Sequence, residues 1–573
     1  MVTNKYITRI ASVIMAAAVI LCLMASLFSD KLQEVYGNNA VTMKYESKLF
    51  NTDQIMDIDI LMDEDDWNDM LENAISEEYY SCDVVVNGKT FYSVGIRPKG
   101  NTSLSSIVND PDTDRYSFKL EFDHYIEGQT CYGLDKLILN NNYADATNMK
   151  EAIVYDMYQY LGVDASLYNY AKISVNGDYR GVYLALEAVE DSFMLRNYGT
   201  EDGNLYKPES MGIGGGVDGN GFPQKGEMPD GEDFPQKGEM PDGADFPQKG
   251  EMPDGEDFPQ MGEAPNGEVA DIKMGIMGGN GGADLNYTDD DLDSYSTIWD
   301  GEITDSDKKD HKRVVEALKN ISEGTDLETY MDVDNILKYM AVHTFVVNDD
   351  SLSGTMAHNY YLYEYNGKLN ILPWDYNLSF GGMSMGGGMG GQSSGATSVI
   401  NDAIDTPFSI TSFFDALLEN EEYLEQYHEY LNELVEKYVN GGEFEKTYER
   451  IRSQIDDLVG NDPTAFYSYE EYEEAANMLI EVVQLRVKSV SGQLAGTIPS
   501  TDEGQQQDSS NLIDGSDIDL SVMGSFSGGG GGNEGQGKDN GFAGTPQPFD
   551  AGDVSPISEE KADLQDSNQD SVK

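Results

Sequence analysis

Three oxygen-bearing residues flank one short hairpin in this sequence. Asp350 and Asn359 precede its first strand and Asp375 follows its second, with Asn366-Gly367 at the turn. An Asn-Gly pair between two alternating runs is a type I′ hairpin signal. A two-stranded hairpin returns to its origin, so Asn359 and Asp375 are expected side by side. Carboxylate and amide oxygens gathered in this way suit Mg²⁺. That ion takes one or two protein carboxylates and completes its shell with water and substrate phosphates. Lys119 on an expected strand and Glu151 on an expected helix are candidates for an ion pair beside them. Each residue alone has an equally good plain role. Asp350 and Asn359 would cap turns, and Asp375 would accept backbone amides after Pro373-Trp374. Their convergence at the hairpin ends favours a shared site.

The elements that must position these residues can be read from periodicity. "DIDILM" alternates as a strand, and "DEDDWNDMLENA" has the acidic start of a helix. "CDVVVNGKTFYSVGIRP" reads as a hairpin turning at Asn87-Gly88. In "YSFKLEF", Ser117, Lys119 and Glu121 share one strand face. A strand at 136–140 leads through a polar loop to a helix. Asn148 with Glu151 reads as its capping box, Met149, Ile153, Met157 and Leu161 as its apolar stripe, and Gly162 as its stop. Another hairpin turns at Asn176-Gly177. "DVDNILKYMAVHTFVVNDD" is a helix capped at Asp332 or Asp334 that runs into the acidic loop Asn348-Asp349-Asp350. From Phe408 to about Leu494 the pattern is helical.

Composition limits what the chain can be. Its 573 residues carry 36 Lys plus Arg against 104 Asp plus Glu, a net charge of −68. Such a field repels phosphate backbones, which excludes nucleic-acid binding by bulk electrostatics. Three Cys (Cys22, Cys82, Cys131) exclude a disulfide scaffold, and five scattered His without HExxH argue against a zinc hydrolase. Residues 1–30 place Lys5 and Arg9 before an apolar run, the pattern of a signal peptide or a membrane anchor. The balance tips slightly to an uncleaved anchor, with the rest of the chain outside the cell. Residues 31–56 read as a linker. Within 210–305 the unit "FPQKGEMPDGED" recurs from Phe222, Phe234 and Phe246, with a degraded copy from Phe258. One Phe and two Pro per unit cannot stack into a core, so 210–305 is expected to be a disordered acidic insert, with order resuming near Ser306. Residues 381–391 read as a flexible Gly-Met insert, and 496–573 as a disordered acidic tail.

Six blocks carry a family resemblance: "IRPKGNTS", "YSFKLEF", "LNNNYADATNMKEAIVYDMYQYLG", "VNGDYRGVYLALEAVEDSFMLRNYG", "GNLYK" and "HNYYLYEYNGKLNILPWDYNLSFG". In order and content they resemble the spore-coat CotH kinase family. The resemblance implies an α+β, atypical protein-kinase-like fold of two lobes. The β-rich N-terminal lobe would be 57–209 and the helical C-terminal lobe 306–495, interrupted by disordered inserts. It implies transfer of the ATP γ-phosphate to Ser or Thr of surface or spore-coat proteins, with Mg²⁺. Lys119 would then contact ATP phosphates, with Glu151 as its helix partner, and the segment around Glu187 would hold adenine. Asp350 would orient the acceptor hydroxyl, while Asn359 and Asp375 would hold Mg²⁺. Such a division of labour relies on positioning and charge neutralisation.

Several features depart from the kinase template. Asp349 competes with Asp350, which is preferred because the family pattern reads Asn-x-Asp. Nine positions separate Asp350 from Asn359, more than the template spacing. Asp375-Tyr376-Asn377 stands in place of Asp-Phe-Gly. There is no GxGxxG loop in the N-terminal half; Arg97, Lys99 and the Gly100–Ser103 turn, including Ser103, are candidates to cover the phosphates instead. Solvated surface charge is as good a role for Arg97 and Lys99. A non-catalytic surface or coat protein using the same fold is the competing expectation, because ATP is scarce outside a cell. A carbohydrate-active enzyme is a third, for which the acidic composition gives no specific support.

Overall fold

A computed structural model describes residues 40–208, 281–354, 357–384, 395–408 and 410–527. The apolar run at 10–28, the twelve-residue repeats and most of the Gly-Met insert lie outside them. Among the described residues, no helix is long and apolar enough to cross a membrane.

Alternating apolar residues build a seven-stranded closed barrel. Strand β1 (Met56–Leu61) points Met56, Ile58 and Ile60 inward and is followed by α1 (Glu64–Glu72), whose first turn is capped by Asp63. Strands β2 (Tyr80–Val86) and β3 (Lys89–Lys99) meet at Asn87-Gly88, where φ is +49° and +78°. Two positive φ values are what a type I′ turn requires. Strands β4 (Ser117–Glu121) and β5 (Lys136–Asn140) follow, then α2 (Lys150–Leu161). Gly162 ends α2 at φ +73°. Strands β6 (Tyr168–Val175) and β7 (Asp178–Glu187) complete the set. The order is β1-β2-β3-β4-β5-β7-β6, and a parallel pairing of β6 with β1 closes the ring. Closure leaves no free sheet edge. Ile58, Val84, Ile96, Phe118, Leu120, Leu139, Ile173 and Tyr183 fill its interior. Truncating a large one, Phe118 to Ala, would cost about 3–5 kcal/mol.

A second, larger core lies outside the barrel wall. It joins Ile138, Leu184 and Leu186 of the wall to α2 and to the helices that follow. Strands β8 (Asn204–Tyr206), β9 (Tyr360–Tyr365) and β10 (Lys368–Pro373) make a sheet of order β10-β9-β8. Tyr360, Tyr361 and Tyr363 of β9 are buried on both faces, as a strand between two packed layers requires. Helix α3 (Val333–Val346), capped by Asp332, packs on α2 and on α4 (Glu421–Glu433). Helices α5 (Glu443–Gly460) and α6 (Tyr469–Leu494) complete the body. The chain is therefore a mixed α+β protein with a barrel and a helical body.

Folded elements occur within stretches that the sequence pattern assigns to the disordered insert and tail. Residues 281–305, expected within the insert, pack into the body: Ala283, Leu285, Tyr295 and Ile298 are buried, and Tyr360 donates to the Ala283 carbonyl at 2.6 Å. These apolar residues are spaced irregularly among acids, so no period marks them. Residues 496–527, expected within the disordered tail, include the helix Asp502–Gln507. They also include a short two-stranded pairing of β11 (Met383–Ser384) with β12 (Phe526–Ser527).

Candidate active site

Barrel register sets three polar side chains in a row. Lys99 of β3 lies opposite Ser117 of β4, and Phe118 opposite Leu139 places Asn140 of β5 next along. All three project from the outer face, because Pro98, Phe118 and Leu139 face the other way. Lys99 donates to Asn140 Oδ1 at 3.2 Å, and Asn140 Nδ2 donates to Glu151 Oε2 at 2.9 Å. One amide thus bridges the lysine and the helix carboxylate. The Lys99 ammonium also lies 5.7 Å from the Trp374 ring centre.

Glu151 is free to face this row because the start of α2 is capped by other residues. Asn148 and Glu151 do not form the expected capping box. Asp145 Oδ2 accepts from Lys150 N at 3.0 Å, and Thr147 Oγ1 from Met149 N at 2.9 Å. Asn148 is held at φ +52° with its side-chain oxygen accepting from Asn142. A cap by sequence spacing was available, and tertiary contacts took its place.

The hairpin delivers the acids. Pro373 pairs with Tyr360, so Asn359 and Asp375 stand just beyond the paired strand ends. Asn359 Nδ2 donates to the Asp350 carbonyl at 2.8 Å and to Asp350 Oδ2 at 3.0 Å. His358 Nε2 lies 2.7 Å from Asp350 Oδ1. The amide hydrogens of Asn359 are spent on Asp350, which leaves its side-chain oxygen to offer to a ligand. Asn348 Nδ2 reaches the Asp375 carbonyl at 3.4 Å.

The electrostatics are those of buried acids only partly compensated by cations. Burial pushes the Glu151 carboxyl up to about 8, and Asp375 adds to that, while Asn140 and Lys99 pull it back. Burial raises the Asp375 carboxyl, against the pull of Lys99. Burial lowers Lys99, Asp375 and Glu151 oppose that, and Lys207 and Arg97 reinforce it. Asn348 Oδ1 is buried with no donor among the described residues, and Glu151 Oε1 has none at full hydrogen-bond geometry, although the Tyr376 amide is near enough to help pull the Glu151 carboxyl down. An unmet buried acceptor costs about 1–3 kcal/mol. Backbone strain gathers at the same place, with positive φ at Val347, Ala357, Asn359, Asp375 and Phe380. Such conformations cost of order 1–3 kcal/mol each and cluster at functional sites.

Other expected members lie elsewhere. Lys119 does not meet Glu151; it pairs with Glu190 at 2.5 Å, and Lys136 joins the same carboxylate. Lys119 sits one row along the wall from Lys99, opposite Arg97, and alternation alone could not choose between the rows. Glu187 is fully buried: Tyr45 donates to Oε1 at 2.5 Å and Arg196 to Oε2 at 2.6 Å. Its side chain faces away from the Lys99 row. Arg97 pairs with Glu77, and Ser103 lies on the short helix Thr102–Val108 beside Gly100. Asn140 was not anticipated, although it closes the strand in "LNNNYA". Lys207 was likewise missed as a neighbour of the acids, since only folding brings it to Asp375.

No group of three or more His, Cys, Asp or Glu side chains among the described residues could hold a metal ion. Two carboxylates and amide oxygens stand beside a buried lysine. The family described as CotH kinase protein matches residues 96–490, more than half of the chain, and the chain belongs to the CotH kinase family. No curated protein matches it.

Proposed function

We propose that the chain is a protein kinase that moves the γ-phosphate of ATP to Ser or Thr of surface or spore-coat proteins. The carrying observation is the Lys99–Asn140–Glu151 bridge facing Asp350, Asn359 and Asp375. In a chain of net charge −68, Lys99 and Lys207 gathered on Asp375 favour a ligand rich in negative charge. The barrel then acts as the N-terminal lobe and the helical body as the C-terminal lobe of a kinase-like arrangement.

Lys99, rather than Lys119, contacts the phosphates on this reading, and Asn140 with Glu151 fixes its position. Asp375 and the Asn359 side-chain oxygen would hold Mg²⁺, and the buried Glu151 and Asn348 oxygens are further acceptors of the kind a hard cation and its waters use. Bound there, the ion supplies charge neutralisation to the phosphate oxygens. Asp350, held by His358 and Asn359, orients the acceptor hydroxyl and takes its proton as the oxygen bonds to phosphorus and the bond to the leaving phosphate oxygen breaks. The N-terminal apolar run anchors the chain at a membrane, with the site outside the cytoplasm or in the spore coat.

Calorimetry with Mg²⁺ and ATP, followed by transfer of labelled γ-phosphate to a Ser-rich protein, tests this. Asp350→Asn should retain binding and lose transfer by more than about 100-fold, whereas Asp349→Ala should keep most of it. Absence of heat with Mg²⁺ and ATP would leave the fold as a non-catalytic interaction module.

A further inference from the structure

The segment from Leu520 to Ser527 lies beyond the family match, which stops at residue 490, yet it touches both halves of the site. On one side, the Met523 carbonyl accepts from Ala146 N at 3.1 Å. Ala146 lies in the loop that leads into α2 and Glu151. On the other side, Phe526 N donates to the Gly382 carbonyl at 3.0 Å, and β12 pairs with β11. Gly382 follows Asp375 by seven positions. The two arms also meet directly, with Asn377 Nδ2 donating to the Tyr143 carbonyl at 2.8 Å and the Phe526 ring edge-on to Tyr143 at 6.3 Å.

The crossing is built for close approach. Gly524 has φ +83°, and a Cβ there would stand 2.5 Å from the Ala144 carbonyl oxygen. A Cβ on Gly381 would stand 3.0 Å from Leu520 Cδ1. Met523 is buried in the main core, which anchors the segment. The loop it braces needs a brace: Asn142, Ala144 and Asn148 all have positive φ. Asn tolerates this region, but Ala144 at φ +58° has no local preference for it and depends on tertiary contacts.

We propose that Leu520–Ser527 is a positioning strap that fixes the loop before Glu151 against the segment after Asp375. Resting on the nucleotide reading of that site, the strap sets the affinity for ATP and Mg²⁺. It acts through backbone contacts and touches no reacting atom.

Two full-length variants test it. Gly524→Val forces the strap off Ala144, and Phe526→Pro removes the amide donor to Gly382. Hydrogen exchange should quicken about tenfold or more in peptides covering 142–151 and 378–384, and stay unchanged in 80–99 of the barrel. In the same variants KM for ATP should rise about three- to tenfold with a smaller change in kcat. Unchanged exchange in both site peptides would overturn the strap, as would equal quickening across the barrel. Local quickening in a protein whose parent gives no heat with Mg²⁺ and ATP would uphold the bracing role and overturn the effect on nucleotide affinity.

Discussion

Two lysine clusters stand one row apart on the same outer wall of the barrel, and they are opposites. Around Lys119, two ammonium groups close on Glu190, whose carboxyl is lowered because Lys119 and Lys136 outweigh its burial. Around Lys99, one ammonium is bridged by an amide to Glu151, whose carboxyl is raised, and acceptor atoms remain unmet. In the first cluster both ammonium groups are paired with Glu190, although the adjacent Asp135 Oδ2, 4.0 Å from Lys136, also lacks a hydrogen-bond donor among the described residues. The second gains stability from whatever cation or donor binds there. A lysine on a strand is therefore a weak sign of function; its partners' unfilled hydrogen-bonding capacity is the stronger one.

The sharpest way to break this contrast is to remove each lysine. Lys99→Met should lower γ-phosphate transfer by about 100-fold or more, and Lys119→Met by less than about fivefold. Steady-state kinetics with Mg²⁺ and ATP decide it, and the reverse ranking would return the phosphate role to Lys119.

A second comparison is of stability. Glu190→Gln strands two lysines and should cost about 3 kcal/mol near pH 7, read from denaturant midpoints. The Glu190 carboxyl is lowered in the folded state, so its contribution is present above its ordinary value of 4.5 and is lost as pH falls below it. The penalty of Glu190→Gln should accordingly shrink in acid.

Glu151 should behave with the opposite sign. Its folded-state value of about 8 lies above its ordinary 4.5, so its contribution is complete below pH 4.5 and is lost as pH rises through about 8. Glu151→Gln should be near neutral at pH 5 and more stable than the parent by about 2 kcal/mol at pH 9. Equal stability of the two proteins at pH 9 would show that Glu151 is not held against its charge. Added Mg²⁺ and ATP should reduce the gain, since bound cation favours the ionised form.

Much of this was legible in the chain itself. Alternation and the three Asn-Gly pairs located the strands and hairpins, because a period of two and a positive φ at both turn positions seldom arise in any other fold element. The return of β9 onto β10 brought Asn359 beside Asp375 for the same local reason. What the sequence could not settle was which rows of the barrel wall face α2. Lys99 and Lys119 obey the same alternation two residues or one strand apart, and only register and closure through β6 and β1 choose between them. Glu151 was readable as a cap because Asn148 stands three residues before it; Asp145 and Thr147 took that role, and the carboxylate turned to Asn140. The Gly- and Asp-rich stretch to residue 527 looks too polar to fold. It is ordered because Met523 finds the main core and its backbone finds Ala146 and Gly382, partners distant in sequence that are in place only once the rest has folded.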